Sequence, residues 1–229
     1  MVKEGYYLGL PPLALGAAAL LLRWTVAGVI FFCLAAFVFY FFRDPERIIP
    51  ADAGAVVSPA DGRVVVVTDE ENAGRPGKRI SIFLAIWNVH VNRAPAAGTI
   101  INLQYRPGKF AAAMRESASS DNEQNVITLA TDSGEITCKQ IAGLIARRVV
   151  CWKQPGDRVA RGERIGLVRF GSRADLWLPC DSEMLVKVGD HVKGGSSVVA
   201  YWPSRVKSTQ TRAQKVSSQE NLSTAGKRT

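Results

Sequence analysis

Few residues of this chain have types and spacings suited to chemistry. There are two histidines. His90 lies in "IFLAIWNVHVNRAP", an apolar run that turns polar at alternate positions, so Asn88, His90 and Asn92 share one face of a strand. Three polar groups at the end of an apolar strand are how a site is lined, and the same pattern also suits a hydrogen-bonded core histidine. His191 sits in the turn "VGDHVKGG" and reads as a solvated surface residue. Asp61, in "SPADGRV", carries the Asp-Gly pair of a turn. The tract "DNEQN", with Asn122 and Asn125, reads as a loop. The stretch "RFGSRADLWLP" puts Gly171, Ser172 and Arg173 between two runs that both suit a buried sheet. On local composition a hairpin turn accounts for that Gly-Ser pair.

The elements that must position these residues fall into three parts. Residues 1–45 hold the membrane-anchor signal. From Trp24 to Phe42 nineteen residues pass without a charge, close to what a helix needs to cross about 30 Å of hydrocarbon. Leu8 to Leu22 is also uncharged but carries Pro11 and Pro12, which makes it a marginal span or a re-entrant segment. The expectation is one or two transmembrane helices, arranged as a hairpin about Arg23. The basic residues Lys3, Arg43 and Arg47 at its outer ends favour a cytoplasmic domain.

Residues 46–203 change to short β-like runs such as "GRVVVVTD", "RISIFLAI", "NVITLATD" and "ADLWLP". Two phrases within them, "KQPGDRVARGERIGLV" and "VKVGDHVKGGSSVVAY", share the pattern G-D-x-V-x-x-G, with "SPADGRVVVV" a looser cousin. These suit a mainly β fold, a sandwich or flattened barrel with hammerhead, biotinyl-lipoyl-like pseudo-repeats. Residues 204–229 are polar, basic and poor in apolar area, which predicts a disordered tail.

Net charge is +9, so anionic partners are expected. Much of the excess lies in the tail, and no nucleic-acid-binding motif accompanies it, which turns the reading from nucleic acid to a lipid surface. Cys33, Cys138, Cys151 and Cys180 show no C-x-x-C spacing, a pattern of free thiols without a metal site.

Taken in order after the N-terminal apolar segment, "FFRDPER", "SPADGRV", "NVHVNRAP", "GKF", "NEQN" and "RFGSRADLWLP" resemble the short, membrane-associated phosphatidylserine decarboxylases, which are self-processing pyruvoyl enzymes. Where longer members carry a Leu-Gly-Ser-Thr type of motif, this chain reads Phe170-Gly171-Ser172-Arg173. The resemblance implies a processing triad in which Asp61 orients His90 and His90 deprotonates Ser172. It implies cleavage between Gly171 and Ser172, conversion of Ser172 to a covalent pyruvoyl cofactor, and a Schiff base there with the amine of a phospholipid substrate; no metal takes part. The products would be a large fragment 1–171 and a small fragment 172–229 held as a heterodimer, with room for a homo-oligomer and no nucleic acid. Asn88, Asn92, Arg93, Asn122 and Asn125 are candidates for substrate contacts. A reading of another class is a membrane-tethered biotinyl-lipoyl-like carrier. Against it, Lys187 in "EMLVKVGD" lies in an apolar strand without the adjacent methionine such a carrier uses.

Overall fold

The computed structural model describes residues 1–72, 74–144, 148–169 and 171–202; Phe170 and the tail expected to be disordered lie outside these. Two helices, α1 (Lys3–Leu21) and α2 (Thr25–Phe41), lead into a mainly β domain. Its elements are β1 (Ala55–Val57), β2 (Gly62–Asp69), β3 (Gly77–Leu84), β4 (Val91–Arg93), β5 (Gly98–Arg106), the short α3 (Ala118–Asp121), β6 (Gln124–Thr131) and β7 (Gly134–Ile141). They continue with β8 (Val149–Cys151), β9 (Arg158–Val159), β10 (Arg164–Val168), β11 (Ser172–Pro179), β12 (Glu183–Met184), β13 (His191–Val192) and β14 (Val198–Tyr201). The apolar alternation of the sequence places these strands well.

The main layer is one antiparallel sheet of eight strands, in the order β13-β2-β3-β11-β7-β6-β5-β9, curled into a half-barrel. Two three-stranded sheets, β1-β14-β12 and β4-β10-β8, accompany it. Ile80, Ile82, Leu84, Leu176, Val199 and Trp202 belong to its largest apolar cluster.

The sheet is an internal duplication. "SPADGRV" at 58–64 is matched by "APAAGTI" at 94–100. Backbone bonds repeat across the two halves: Val57 N–H donates to the Pro95 carbonyl and Arg93 N–H to the Pro59 carbonyl, both at 2.9 Å. Val64 N–H reaches Asp190 and Ile100 N–H reaches Asp157, while Gly195 N–H reaches Ser58 and Gly162 N–H reaches Ala94. Both β2 and β5 carry a bulge at the same place, after Val64 and after Ile100. The two G-D-x-V-x-x-G phrases supply β13 and β9, one at each end of the sheet. Their glycines take matching left-handed conformations, with φ of 97° and 103° at Gly156 and Gly189 and 76° and 79° at Gly162 and Gly195. The pseudo-twofold axis therefore runs between the two central strands, β7 and β11.

The transmembrane hairpin expected from the sequence needs correction. A helical hairpin forms, and α1 runs through Pro11 and Pro12, but no helix among the described residues is long and apolar enough to cross a membrane. The reason lies at both ends of the apolar run. Arg23, at φ 62°, turns the chain between the helices, so α2 starts only at Thr25. At the far end Phe41 and Phe42 are buried with Val89, Val91 and Leu167 of the β domain. Its 17 residues rise about 26 Å at 1.5 Å each.

The duplication rests on close backbone approach at two equivalent positions. A Cβ on Gly62 would run into the Phe83 carbonyl, and one on Gly98 into the Ala130 carbonyl. Gly98→Ala should therefore destabilise the domain by about 2 kcal/mol, read as a lowered urea midpoint; an unchanged midpoint would mean that β5 and β6 shift apart freely.

Candidate active site

β11 begins at Ser172 and lies between β3 and β7. Ser172 pairs with Leu84 across the β3 side, and Gly171 before it turns the chain at φ 63°. The Ser172 hydroxyl is fully buried and has no hydrogen-bond partner among the described residues. Gly143, just beyond β7, passes so close to the Gly171 carbonyl oxygen that any Cβ there would collide with it.

His90 sits immediately before β4 and is fully buried. The Val168 N–H donates to its carbonyl at 3.2 Å, which brings the histidine's strand to within four residues of Ser172 along the chain. Its Nδ1 lies 2.9 Å from the Asn88 carbonyl. A carbonyl oxygen only accepts, so Nδ1 carries the proton and Nε2 keeps its lone pair. Nε2 is buried and unpartnered. Phe41 of α2 stacks against the ring with centroids 4.2 Å apart. Burial pushes the imidazole down to about 4, against a smaller upward pull from the Asn88 carbonyl and a further lowering by the nearby Arg43 cation. The ring is a neutral base at pH 7.

Asp61 stands in the turn before β2. Its Oδ2 accepts from Arg47 and its Oδ1 from the Gly194 N–H, each at 2.7 Å. It makes no hydrogen bond to His90, whose orientation comes from Asn88. The pseudo-twofold relates the three residues to positions in the other half of the sheet. The counterparts of Asp61, His90 and Gly171 are Ala97, Gly54 and Ser133, and these three line a single cavity of about 260 Å³ in the other half. There the side chains are too small or too short to do the same work.

The other polar candidates are engaged in holding the fold. Asn92 accepts from Gln140, and Gln140 accepts from Asn125, forming a buried chain across β4, β7 and β6. Asn122 clamps Ala111 and Ala142. Arg93 binds Asp44, the Pro45 carbonyl and the Gly162 carbonyl, fixing the "FFRDPER" linker to the domain. The Asn88 side chain accepts from the Ala85 N–H and leaves its amide donor uncommitted.

Two residues were given no role at the site by the sequence. Phe41, expected in a lipid-spanning helix, supplies a wall of the site. Arg173, directly after Ser172, is fully buried and bound to Asp175 at 2.6 Å, the Ser81 hydroxyl at 2.7 Å and the Arg115 carbonyl at 3.2 Å. Asp175 also accepts from Ser119 and lies 3.6 Å from Arg79. The alternation of Arg173 and Asp175 with Ala174 and Leu176 was the available signal that β11 has a charged face opposite its core face.

A buried hydroxyl at a Gly-Ser bond, a neutral imidazole bonded through its backbone to the strand that leads to that bond, and a following strand anchored independently of it suit a lyase made as a proenzyme. Comparison with known proteins agrees. A sequence profile of the phosphatidylserine decarboxylase family matches residues 34–200. A phosphatidylserine decarboxylase proenzyme of Solibacter usitatus is 51% identical over 204 residues, covering 87% of this chain and 96% of that protein. Those of Symbiobacterium thermophilum and Desulfotalea psychrophila are 45% identical over 207 residues and 48% over 174, covering 89% and 74% of this chain and 96% and 81% of theirs. The chain belongs to the phosphatidylserine decarboxylase family.

Because His90 is held neutral, only the unfolded chain takes up its proton as pH falls below 6.5. The stability gained is whole above that pH and is lost as pH falls toward about 4. Phe41→Ala should open the ring to water and bring its titration back toward 6.5, read from the imidazole carbon-bound protons by NMR; a midpoint still near 4 would show that Phe41 is not the wall that matters.

Proposed function

We propose that this chain converts its own Ser172 to a pyruvoyl group and, so matured, decarboxylates phosphatidylserine to phosphatidylethanolamine and CO2. The observation that carries the reading is that Ser172 Oγ, next to a glycine turned at φ 63°, and His90 Nε2 are both buried and have no hydrogen-bond partner among the described residues. A buried donor and a buried acceptor left unmet are costly, and a proton transfer between them gives both a use.

Nε2 takes the hydroxyl proton, and Oγ attacks the Gly171 carbonyl carbon, whose approach no side chain obstructs. The peptide C–N bond breaks, the Ser172 nitrogen gains a proton, and an ester replaces the amide. Removal of the Ser172 Cα proton then breaks the Cβ–O bond, releasing Gly171 as a carboxylate. The dehydroalanine left behind tautomerises, and water hydrolyses it to the keto group with loss of ammonia. That group supplies an electron sink for the departing substrate carboxylate. His90 Nε2, near the same atoms, is the donor that returns a proton to the substrate α-carbon.

In this reading the Asn88 carbonyl orients His90, while Asp61 holds Arg47 of the linker and the 194 turn in place around the site. The fragments 1–171 and 172–229 stay together because β11 pairs along its whole length with β3, and β13 and β14 pair with β2 and β1. The hairpin seats the domain in lipid. Its helices meet through small residues, Gly9 against Phe39 and Gly28 against Leu20, and turn Tyr7, Leu21, Leu22, Trp24, Val26 and Ile30 outward. A bilayer substrate would be met at the cytoplasmic surface, where Lys3 and Arg43 lie at the hairpin's open end.

Intact mass under denaturing conditions tests the chemistry. Wild type should give a small fragment of about 6 kDa from the 24.8 kDa chain, blocked at its N-terminus. Ser172→Ala should stay whole, and His90→Gln should cut at least about 100-fold more slowly. An uncut wild type, or a cut Ser172→Ala, would overturn the assignment.

A further inference from the structure

A cavity of about 350 Å³ opens on the face of the sheet opposite the Ser172 hydroxyl's core side, beside the site. Arg63 and His191 are directly opposite each other on β2 and β13, and both line it. Neither side chain has a hydrogen bond or ion pair to any described residue. Two such groups facing each other without a carboxylate are unfavourable when both carry charge, and an anion between them removes the conflict. Asn88 adds its uncommitted amide donor on the wall nearest His90. The remaining surface is apolar and exposed, from Trp87, Met114 and Val188.

Position links this cavity to both the site and the hairpin. Phe83 and Ala85 of its wall flank Leu84, the partner of Ser172. Asn88 holds the His90 ring through its carbonyl. The Trp87 carbonyl accepts from Arg43 at 2.6 Å and from the Tyr40 hydroxyl at 3.4 Å, so the apolar lip lies where α2 meets the domain. Donors inside, apolar groups at the lip and a helical hairpin beside the lip match the order phosphate, glycerol, acyl chain.

Resting on the reading of the chain as a phosphatidylserine decarboxylase, we propose that Arg63 and His191, with the Asn88 amide, bind the phosphodiester of the substrate while Trp87, Met114 and Val188 hold the start of its acyl chains. Arg63 is thereby a specificity-determining residue: it holds the headgroup beside Phe83 and Ala85, which flank Leu84, the partner of Ser172.

Kinetics of the full-length, self-cleaved protein on phosphatidylserine in mixed micelles test this. Arg63→Gln should raise KM about tenfold, and His191→Gln by a smaller factor, with the loss in kcat/KM arising mainly through KM. Self-cleavage in both variants, followed by mass, should run to completion, since neither side chain is near Gly171 Cα. Glycerophosphoserine should compete with substrate in wild type and much less in Arg63→Gln. KM values within twofold of wild type in both variants would overturn the proposal, as would inorganic phosphate competing as well as the diester, which would make this a free-phosphate site. A wild type that releases no CO2 would instead overturn the decarboxylase reading itself.

Discussion

The bond proposed to break stands at the first residue of a strand held on both sides by the sheet. β11 is one of the two central strands, paired with β3 over eight residues and with β7 over five. Everything around Ser172 follows from that constraint. The proposed cut falls at the boundary of the strand, just ahead of the first ladder pair of β11. Arg173 and Asp175 tie this end of β11 to Ser81, Ser119 and Arg79 on neighbouring elements. Buried charges of this kind are costly unless paired, and here the two pair with each other and each also bonds another segment, which makes the network a brace at the start of the strand.

Burial does a second job at His90. Exposed to water the ring would titrate near 6.5, within reach of ordinary cellular acidity; under Phe41 it stays neutral. The wall that does this comes from α2, whose last turn belongs to the core of the β domain and not to the apolar hairpin proper. The helices are therefore part of the site's electrostatics as well as of its location. The linker between them and the domain is held in the same spirit, with Asp44 bound to Arg93 and Arg164 and Arg47 bound to Asp61.

Strand positions were legible in the sequence because alternation in runs such as "GRVVVVTD" and "NVITLATD" is a local signal with a local cause. The Gly-Ser bond, His90 and Asp61 were legible as a set only through family resemblance; the structure buries Ser172 and His90, each with one polar side-chain atom that no described residue meets, and gives Asp61 to Arg47 and Gly194. What could not be read is what depends on remote partners. The apolar run 24–42 has the length of a span, but nothing local reveals that Phe41 and Phe42 are spent on Val89 and Leu167. Asn92, Asn122 and Asn125 look like site residues by type, and only the fold supplies Gln140, Ala111 and Ala142 as their partners. The match of "APAAGTI" to "SPADGRV" was hidden because four of its seven positions differ, Ala97 standing where the other half has Asp61.

The order of strands in the sheet also sets a timetable for synthesis. β3 and β7 leave the ribosome with an empty slot between them, and the strand that fills it belongs to the last 58 residues of the chain. The turn that caps Asp61, at Gly194, arrives later still, and β14, which completes the small sheet with β1, follows it. A nascent chain thus holds His90 and Asp61 long before it holds Ser172 in its strand. On the proposed reading, topology postpones processing until the central slot of the sheet is filled.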